Sequence, residues 1–239
     1  MFGLGTIINT GAIIVGGLIG LAAGKGIKAE KQQAFETACG VSVMFLGIAG
    51  AMEGMLSLEE GALKAGRSMF VVLCLLLGAV LGELIDLEGL LERFGEWLKR
   101  KTGSSKDVRF VEGFLTTSFT VCIGAMAVIG SLQDGISGDF SLLATKSILD
   151  FIIVIVMTGT MGKGCIFSAI PVFVLQGSIT LLARFLAPLI TDAATVNLSL
   201  VGNVLIFCVG LNLVWGKKVR VANLLPAILL AVAAAYLPL

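Results

Sequence analysis

The sequence predicts an all-α, polytopic membrane protein, a helix bundle of about eight transmembrane helices. Of its 239 residues, 57% are hydrophobic and 14% are charged, against about 45–50% and about 25% in an ordinary soluble domain. The mean hydropathy is +1.02. A spanning helix needs about 20 apolar residues, so spans and short connections fill this length. We therefore treat residues 1–239 as a single transmembrane domain.

Eight apolar segments follow one another along the chain. They cover 4–24, 37–56, 67–86, 113–133, 141–161, 165–190, 198–216 and 221–239. The fifth and sixth are joined by the very short segment 158–164, which is either a tight turn or a break within a helix. The first lacks the basic region and cleavage site of a signal peptide, so we expect a retained span.

The distribution of basic residues predicts the orientation. With eight spans, thirteen of the 17 Lys and Arg residues fall in or near the loops of one side. Cytoplasmic loops carry an excess of Lys and Arg. Both termini are therefore expected outside.

The connection 87–101 predicts an interfacial helix. Its apolar residues lie on one helical face, and the other face carries charges of both signs. We expect it to lie on the cytoplasmic leaflet with Trp97 at headgroup level. A structural strut and a lipid sensor are both compatible with this pattern.

Glycines suggest two packing features. Segments 40–54, 117–131 and 203–216 each place a glycine late in an apolar helix, which is compatible with an inverted repeat of spans 1–3 against 6–8. Chance similarity is the alternative, because the chain has 31 glycines. Gly16, Gly20 and Gly24 form two GxxxG steps, which serve either packing within the chain or the seam of a homo-oligomer.

Asp150 is the sharpest candidate for a functional residue. It lies about nine residues into the fifth segment, close to the bilayer midplane. Lys146 precedes it by four residues and can pair with it. A buried ion pair that fixes helix packing and a carboxylate that binds a coupling cation or proton are both consistent with the sequence.

Other polar residues within the spans are candidate ligands or interhelical hydrogen-bonding groups. Glu53, near the end of the second segment, is a candidate entrance residue or a solvated side chain. The candidate solute or ion ligands are Asn9, Thr117, Thr120, Gln176, Asn203 and Asn212.

Several function classes are disfavoured. The chain contains no His and no Cys cluster, so His-based catalysis and zinc binding have no residues to use. We expect no enzyme activity, cofactor or metal. A net charge of +1 gives no basic field for nucleic acid. The expected partners are the lipid bilayer and a small solute or ion.

Four segments carry a resemblance to a known family: INTGAIIVGGLIG (8–20), GVSVMFLGIAGAMEG (40–54), FVEGFLTTSFTVCIGAMAVIGSLQDG (110–135) and GKGCIFSAIPVFVLQG (162–177). Together they resemble the YqgA/YdfK-type bacterial membrane proteins, the domain of unknown function 554 family. The resemblance implies a multi-pass protein of the bacterial inner membrane and supplies no catalytic residues.

The functional hypothesis is a small secondary transporter or ion-coupled carrier of a small solute. It rests on a carboxylate at the midplane, scattered amides and the lack of a soluble domain. A passive ion channel is one alternative, and a membrane scaffold or assembly protein without transport is another.

Overall fold

The computed structural model describes residues 3–24, 29–59, 61–123, 125–186 and 191–236. It is almost entirely helical. The α-helices are α1 Leu4–Gly24, α2 Ala29–Met55, α3 Ser68–Ile85, α4 Leu87–Lys101, α5 Phe110–Cys122, α6 Ala125–Ser137, α7 Ser141–Met161, α8 Ala169–Leu181, α9 Ala183–Leu186, α10 Asp192–Trp215, α11 Val221–Leu224 and α12 Pro226–Ala234. A 3₁₀ helix, Lys163–Ser168, precedes α8.

The predicted fold class is confirmed, whereas the span count of eight stays a prediction. Six helical segments of the described chain are long and apolar enough to cross a membrane. The pair α5 and α6, bent by 62°, would be a seventh span. The last predicted segment is present as the shorter apolar stretch Val221–Ala234. Nothing in the structure tests the inverted repeat.

Helix pairs fix the relative directions of the segments. Helices α1 and α7 run parallel, since Gly5 lies against Leu143 and Gly24 lies against Gly159. Helices α2 and α10 run antiparallel, as do α3 and the α11–α12 stretch. Eight segments that crossed the membrane in alternate directions would have these same relative directions. We call the end that carries Gly24 the basic end, because the basic loops lie there.

The two glycine steps of α1 pack within the chain. A Cβ at Gly16 would lie 2.8 Å from the Phe151 carbonyl oxygen, and Cβ atoms at Gly20 and Gly24 would meet the backbone of Ile155 and Gly159. Small residues let two helix backbones approach closely. Of the two interpretations, the structure therefore shows packing against α7.

A short antiparallel hairpin was not predicted. Strands β1 Leu56–Glu59 and β2 Ala62–Ala65 pair between α2 and α3.

Segment 158–164 is a tight turn in which Gly162 has a φ of 89°, a conformation that favours glycine.

Helix α4 has the predicted bounds and is amphipathic. Leu98 is buried, and Gly95 faces Val111 and Phe114 of α5. Trp97 on the same apolar side is 47% exposed. Part of the apolar face thus packs on the bundle, and the rest is available to lipid.

Candidate functional site

A buried ion pair lies within α7. The Lys146 ammonium donates to both carboxylate oxygens of Asp150, at 2.7 Å each. The side chains of Lys146 and Asp150 are 10% and 4% exposed. Asn9 of α1 donates through Nδ2 to Asp150 Oδ2 at 3.0 Å. Both carboxylate oxygens are therefore hydrogen-bonded, which offsets part of the cost of removing the charge from water.

The glycines of α1 explain how Asn9 reaches α7. Gly5 and Gly16 lie on either side of Asn9 and both contact α7, at Leu143 and Phe151. This close approach brings the short Asn9 side chain within hydrogen-bonding distance of Asp150. The packing glycines and the polar contact thus belong to one interface.

A break in a membrane helix lies at the same place. Helix α5 ends at Cys122, α6 begins at Ala125, and their axes differ by 62°. Cys122 packs against the buried cluster that contains Ile13 and Val154, which lie one turn from Asn9 and Asp150. A break leaves backbone carbonyl and amide groups without helical partners. Irregular backbone at membrane depth is tolerated where protein buries it or where it lines a cavity, and discontinuous helices form the sites of many transporters.

Gln176 of α8 is buried without hydrogen-bond partners. The residue is 1% exposed, and neither Nε2 nor Oε1 of its side chain has a hydrogen-bond partner within the described part of the chain. Asn9 Oδ1 and Thr6 Oγ1 are also buried without partners. Each such atom costs about 1–3 kcal/mol. Open hydrogen-bonding positions are therefore present on Asn9, which contacts Asp150, and on Thr6 and Gln176.

Helix periodicity places Gln176 at the level of Asp150. Residues four apart share a helix face. Asn9, Asp150 and Gln176 each lie four residues from one member of a buried apolar cluster. These members are Ile13, Val154 and Val172, and Val121 packs with them just before the helix break. Because α1 and α7 run toward the basic end and α8 runs away from it, all three polar residues lie on the same side of this cluster.

We name these two levels for use below. The Asp150 cluster comprises Asn9, Lys146, Asp150 and Gln176. The apolar layer comprises Ile13, Val121, Val154 and Val172.

The two predicted threonines lie on the basic side of the apolar layer. Thr117 is buried beside Cys165, one turn from Val121. Thr120 is partly buried, and its hydroxyl donates to the Thr116 carbonyl at 2.8 Å. The structure does not bring either hydroxyl to Asp150.

Three further predicted residues lie away from the Asp150 cluster. Asn203 faces Gly50 of α2 and donates to the Ser199 carbonyl at 2.8 Å. Asn212 donates to the Val219 carbonyl and accepts from two amides of the loop before α11, so it holds that loop. Glu53 is exposed near the end of α2. Their assignment as ligands or as an entrance stays a prediction.

Sequence reasoning missed several buried polar groups. Asp134, directly after the fourth predicted segment, is 0% exposed and accepts from the Gly3 and Gly5 amides at 3.1 and 2.9 Å. It therefore caps α1 from α6. Asn197 accepts from Arg67 and donates to the Ala231 carbonyl. No local motif identifies such contacts, because each joins helices distant in sequence.

Two cavities open toward the basic end. One of about 250 Å³ lies among α4, α5 and α10, and its lining includes Glu88, Glu92 and Lys217. Lys217 bonds to both glutamates, with Glu88 Oε1 at 2.7 Å. The other, about 380 Å³, is lined by residues 106–109 and by the turn at 158–162.

Apolar helices of spanning length, packed by glycines around a buried ion pair, define a polytopic membrane protein. The chain belongs to the family described as "Protein of unknown function (DUF554)", whose model matches residues 4–236. This confirms the family resemblance seen in the sequence.

Two bacterial proteins are similar over nearly their whole length. The "Uncharacterized membrane protein YdfK" of Bacillus subtilis is 32% identical over 226 residues, which are 95% of this chain and 93% of that protein. The "Uncharacterized protein YqgA" of Escherichia coli is 25% identical over 232 residues, 95% and 94% of the two chains. No solved structure matches.

Proposed function

We propose that this protein is a secondary transporter or ion-coupled carrier of a small solute in the bacterial inner membrane. The observation that carries the proposal is the ion pair of Asp150 with Lys146, buried beside a broken helix. A charged pair within hydrocarbon and irregular backbone at membrane depth are each costly, and each is typical of the substrate and ion sites of membrane proteins.

In this mechanism, Asp150 holds the coupling cation or proton. Asn9 and Gln176 supply neutral contacts, and Gln176 has an open donor and an open acceptor. The basic end faces the cytoplasm, which places both termini outside. The same proposal makes the protein a carrier rather than an enzyme.

The test is a ligand screen by thermal stability, followed by flux measurements in proteoliposomes. A ligand that binds only the folded state stabilises it by about 2.7 kcal/mol at a hundredfold excess over Kd. We would screen cations, organic acids, amines and neutral solutes across pH. The compared proteins are wild type, Asp150→Asn and the control Asp139→Asn, whose side chain is exposed.

A ligand-dependent shift that Asp150→Asn abolishes and Asp139→Asn retains supports the carrier. Flux of that ligand at conductances far above carrier turnover would instead indicate a channel. The absence of any shift, with Asp150→Asn destabilised under all conditions, would reject the transport proposal. It would favour a scaffold, whose sensitive positions are the packing glycines of α1.

A further inference from the structure

A second set of buried hydroxyls lies beyond the apolar layer. Thr117, Thr158 and Ser168 are 0%, 1% and 0% exposed, and the side-chain oxygen of each lacks a conventional hydrogen-bond partner among the described residues. Thr117 and Thr158 both approach the sulfur of Cys165, which is a weak acceptor. We call these four residues the hydroxyl layer.

The register of the helices places this layer next in line. Thr117 lies four residues from Val121, Thr158 four from Val154, and Ser168 four from Val172. In each case the step leads toward the basic end. Four residues of an α-helix, slightly more than one turn, correspond to about 6 Å. Along the bundle, the Asp150 cluster, the apolar layer and the hydroxyl layer therefore follow one another at intervals of about one turn.

The hydroxyl layer adjoins a cleft at the basic end. Thr158 is one of the residues that line the 380 Å³ cleft, together with Gly159 and Gly162, while its own hydroxyl is buried. The hydroxyl layer and a single apolar layer therefore lie between this cleft and Asp150. Leaving three hydroxyls without strong partners is costly in a closed apolar core, whereas a chamber that admits water or cargo satisfies them.

The charges on the route indicate what this chamber accepts. The side chains that define the hydroxyl layer are uncharged. Asp150 is neutralised by Lys146. The cleft is lined by charges of both signs, on Lys106, Asp107 and Arg109, and Arg109 pairs with Glu112 at 3.5 Å and donates to the Thr160 carbonyl at 3.3 Å. An ion that left this charged cleft for the hydroxyl layer would find no charged side chain within the layer and would pay a desolvation cost. A neutral molecule with donors and acceptors would meet suitable partners.

We propose that the hydroxyl layer is a second binding position for the cargo, and that this cargo is a small uncharged solute with hydrogen-bonding groups. The inference rests on the proposed carrier function, which it deepens by naming the substrate class. The cargo passes between the hydroxyl layer and the Asp150 cluster when the apolar layer opens.

Cys165 makes the chamber testable in the unmodified protein. The probes are iodoacetamide, a small neutral amide, and iodoacetate, its anionic counterpart of similar size. Wild-type protein in liposomes is treated with each, and mass spectrometry quantifies the alkylation of every cysteine separately. Cys74 is the internal control, because it is 5% exposed, against 0% for Cys165, yet lies in an apolar cluster.

We expect iodoacetamide to modify Cys165 at least tenfold faster than Cys74. We also expect iodoacetate to react more slowly than iodoacetamide at Cys165. The ratio of the iodoacetamide rate to the iodoacetate rate at Cys165 should be at least tenfold larger than the same ratio measured on free glutathione. Thr158→Val should slow the reaction of Cys165 and leave that of Cys74 unchanged. A Tm within a few degrees of the wild-type value shows that this variant is folded.

Equal rates at Cys165 and Cys74 would overturn the chamber, because both thiols would then react only through general opening. If the ratio of the iodoacetamide rate to the iodoacetate rate is the same at Cys165 and on free glutathione, the proposal of an uncharged substrate is overturned. These outcomes are separate from the carrier test. Flux that depends on Asp150 without alkylation of Cys165 refutes only the chamber, whereas a failed ligand screen with selective alkylation refutes the carrier and leaves an accessible chamber that holds no cargo.

Discussion

Breaking the buried ion pair should destabilise the protein far more than removing both of its charges. In Lys146→Met, Asp150 keeps the hydrogen bond from Asn9 but loses the ammonium that contacts both of its oxygens. Removing one partner of a buried pair costs about 3–5 kcal/mol, because the other charge is left uncompensated. Asp150→Leu should cost a similar amount, since it strands Lys146.

The double variant Lys146→Met/Asp150→Leu leaves no charge unpaired. Its remaining cost is the Asn9 amide that loses its acceptor, about 1–3 kcal/mol. The effects of the two single changes should therefore not add, and the coupling energy should be several kcal/mol. For a chain of this size, 1 kcal/mol corresponds to about 2–4 °C in Tm. Each single variant should melt about 6–20 °C below wild type. The Tm of the double variant should lie between that of the single variants and that of wild type.

The assay is thermal unfolding in detergent, followed by a thiol-reactive dye that reports exposure of the buried cysteines. Lys101→Met, at an exposed position, is the control and should change stability by no more than about 0.5 kcal/mol. Single variants that melt with the control would show that water already reaches Asp150. A double variant as unstable as the sum of the singles would show that the two charges are not coupled.

Three further predictions concern other contacts. Gly20→Ala should lower Tm strongly, because its Cβ would meet the Ile155 backbone. The control Gly11→Ala, in the same helix, has nothing within 4 Å of its Cβ and should leave Tm unchanged or raise it. Equal effects of the two substitutions would contradict the α1–α7 packing. Asp134→Ala should cost about 0.5–2 kcal/mol through loss of the α1 cap, and Asp134→Asn should cost less; a cap that contributes nothing would give wild-type Tm in both. Burial alone would lower the pKa of Lys217, but its hydrogen bonds to Glu88 and Glu92 raise the pKa above the ordinary value. The ion pairs should therefore persist from pH 6 to about pH 10 and be lost only as pH rises further. Any pH dependence of flux between pH 6 and 9 should then be the same in Lys217→Gln as in wild type.

Much of the architecture was predictable from sequence. Composition and segment length are sufficient for an all-α membrane protein, because hydrocarbon admits few other solutions. The bounds of α1, α4 and α7 agree with the predicted segments at both ends. Helix α4 is strongly amphipathic, and α1 and α7 are largely apolar along their whole length. The break between α5 and α6 was missed, since the residues around it are as apolar as a continuous span.

Pairwise contacts within one helix were also predictable, but those between helices were not. The i, i+4 spacing of Lys146 and Asp150 sufficed to predict their pairing. The bond from Asn9 to Asp150 joins residues 141 positions apart. It depends on the register between α1 and α7, which the glycines set only after the two helices are known to be partners. For the same reason, sequence did not distinguish Gln176 from Asn212, which holds a loop.

The layered arrangement is hidden in sequence because neighbouring helices run in opposite directions. On α7 the order along the chain is Asp150, Val154, Thr158, whereas on α8 it is Ser168, Val172, Gln176. The two series are mirror images until the direction of each helix is known, and then they coincide level by level. A polar, apolar, polar alternation on one helix has no particular meaning. Its repetition at matched depth on opposed helices means that one apolar layer alone separates two sets of buried hydrogen-bonding groups. Widening that layer, as in Val172→Ser, should therefore increase solute leak across liposomes without any change at Asp150, and a variant that stays folded but impermeable would show that the layers do not lie on one path.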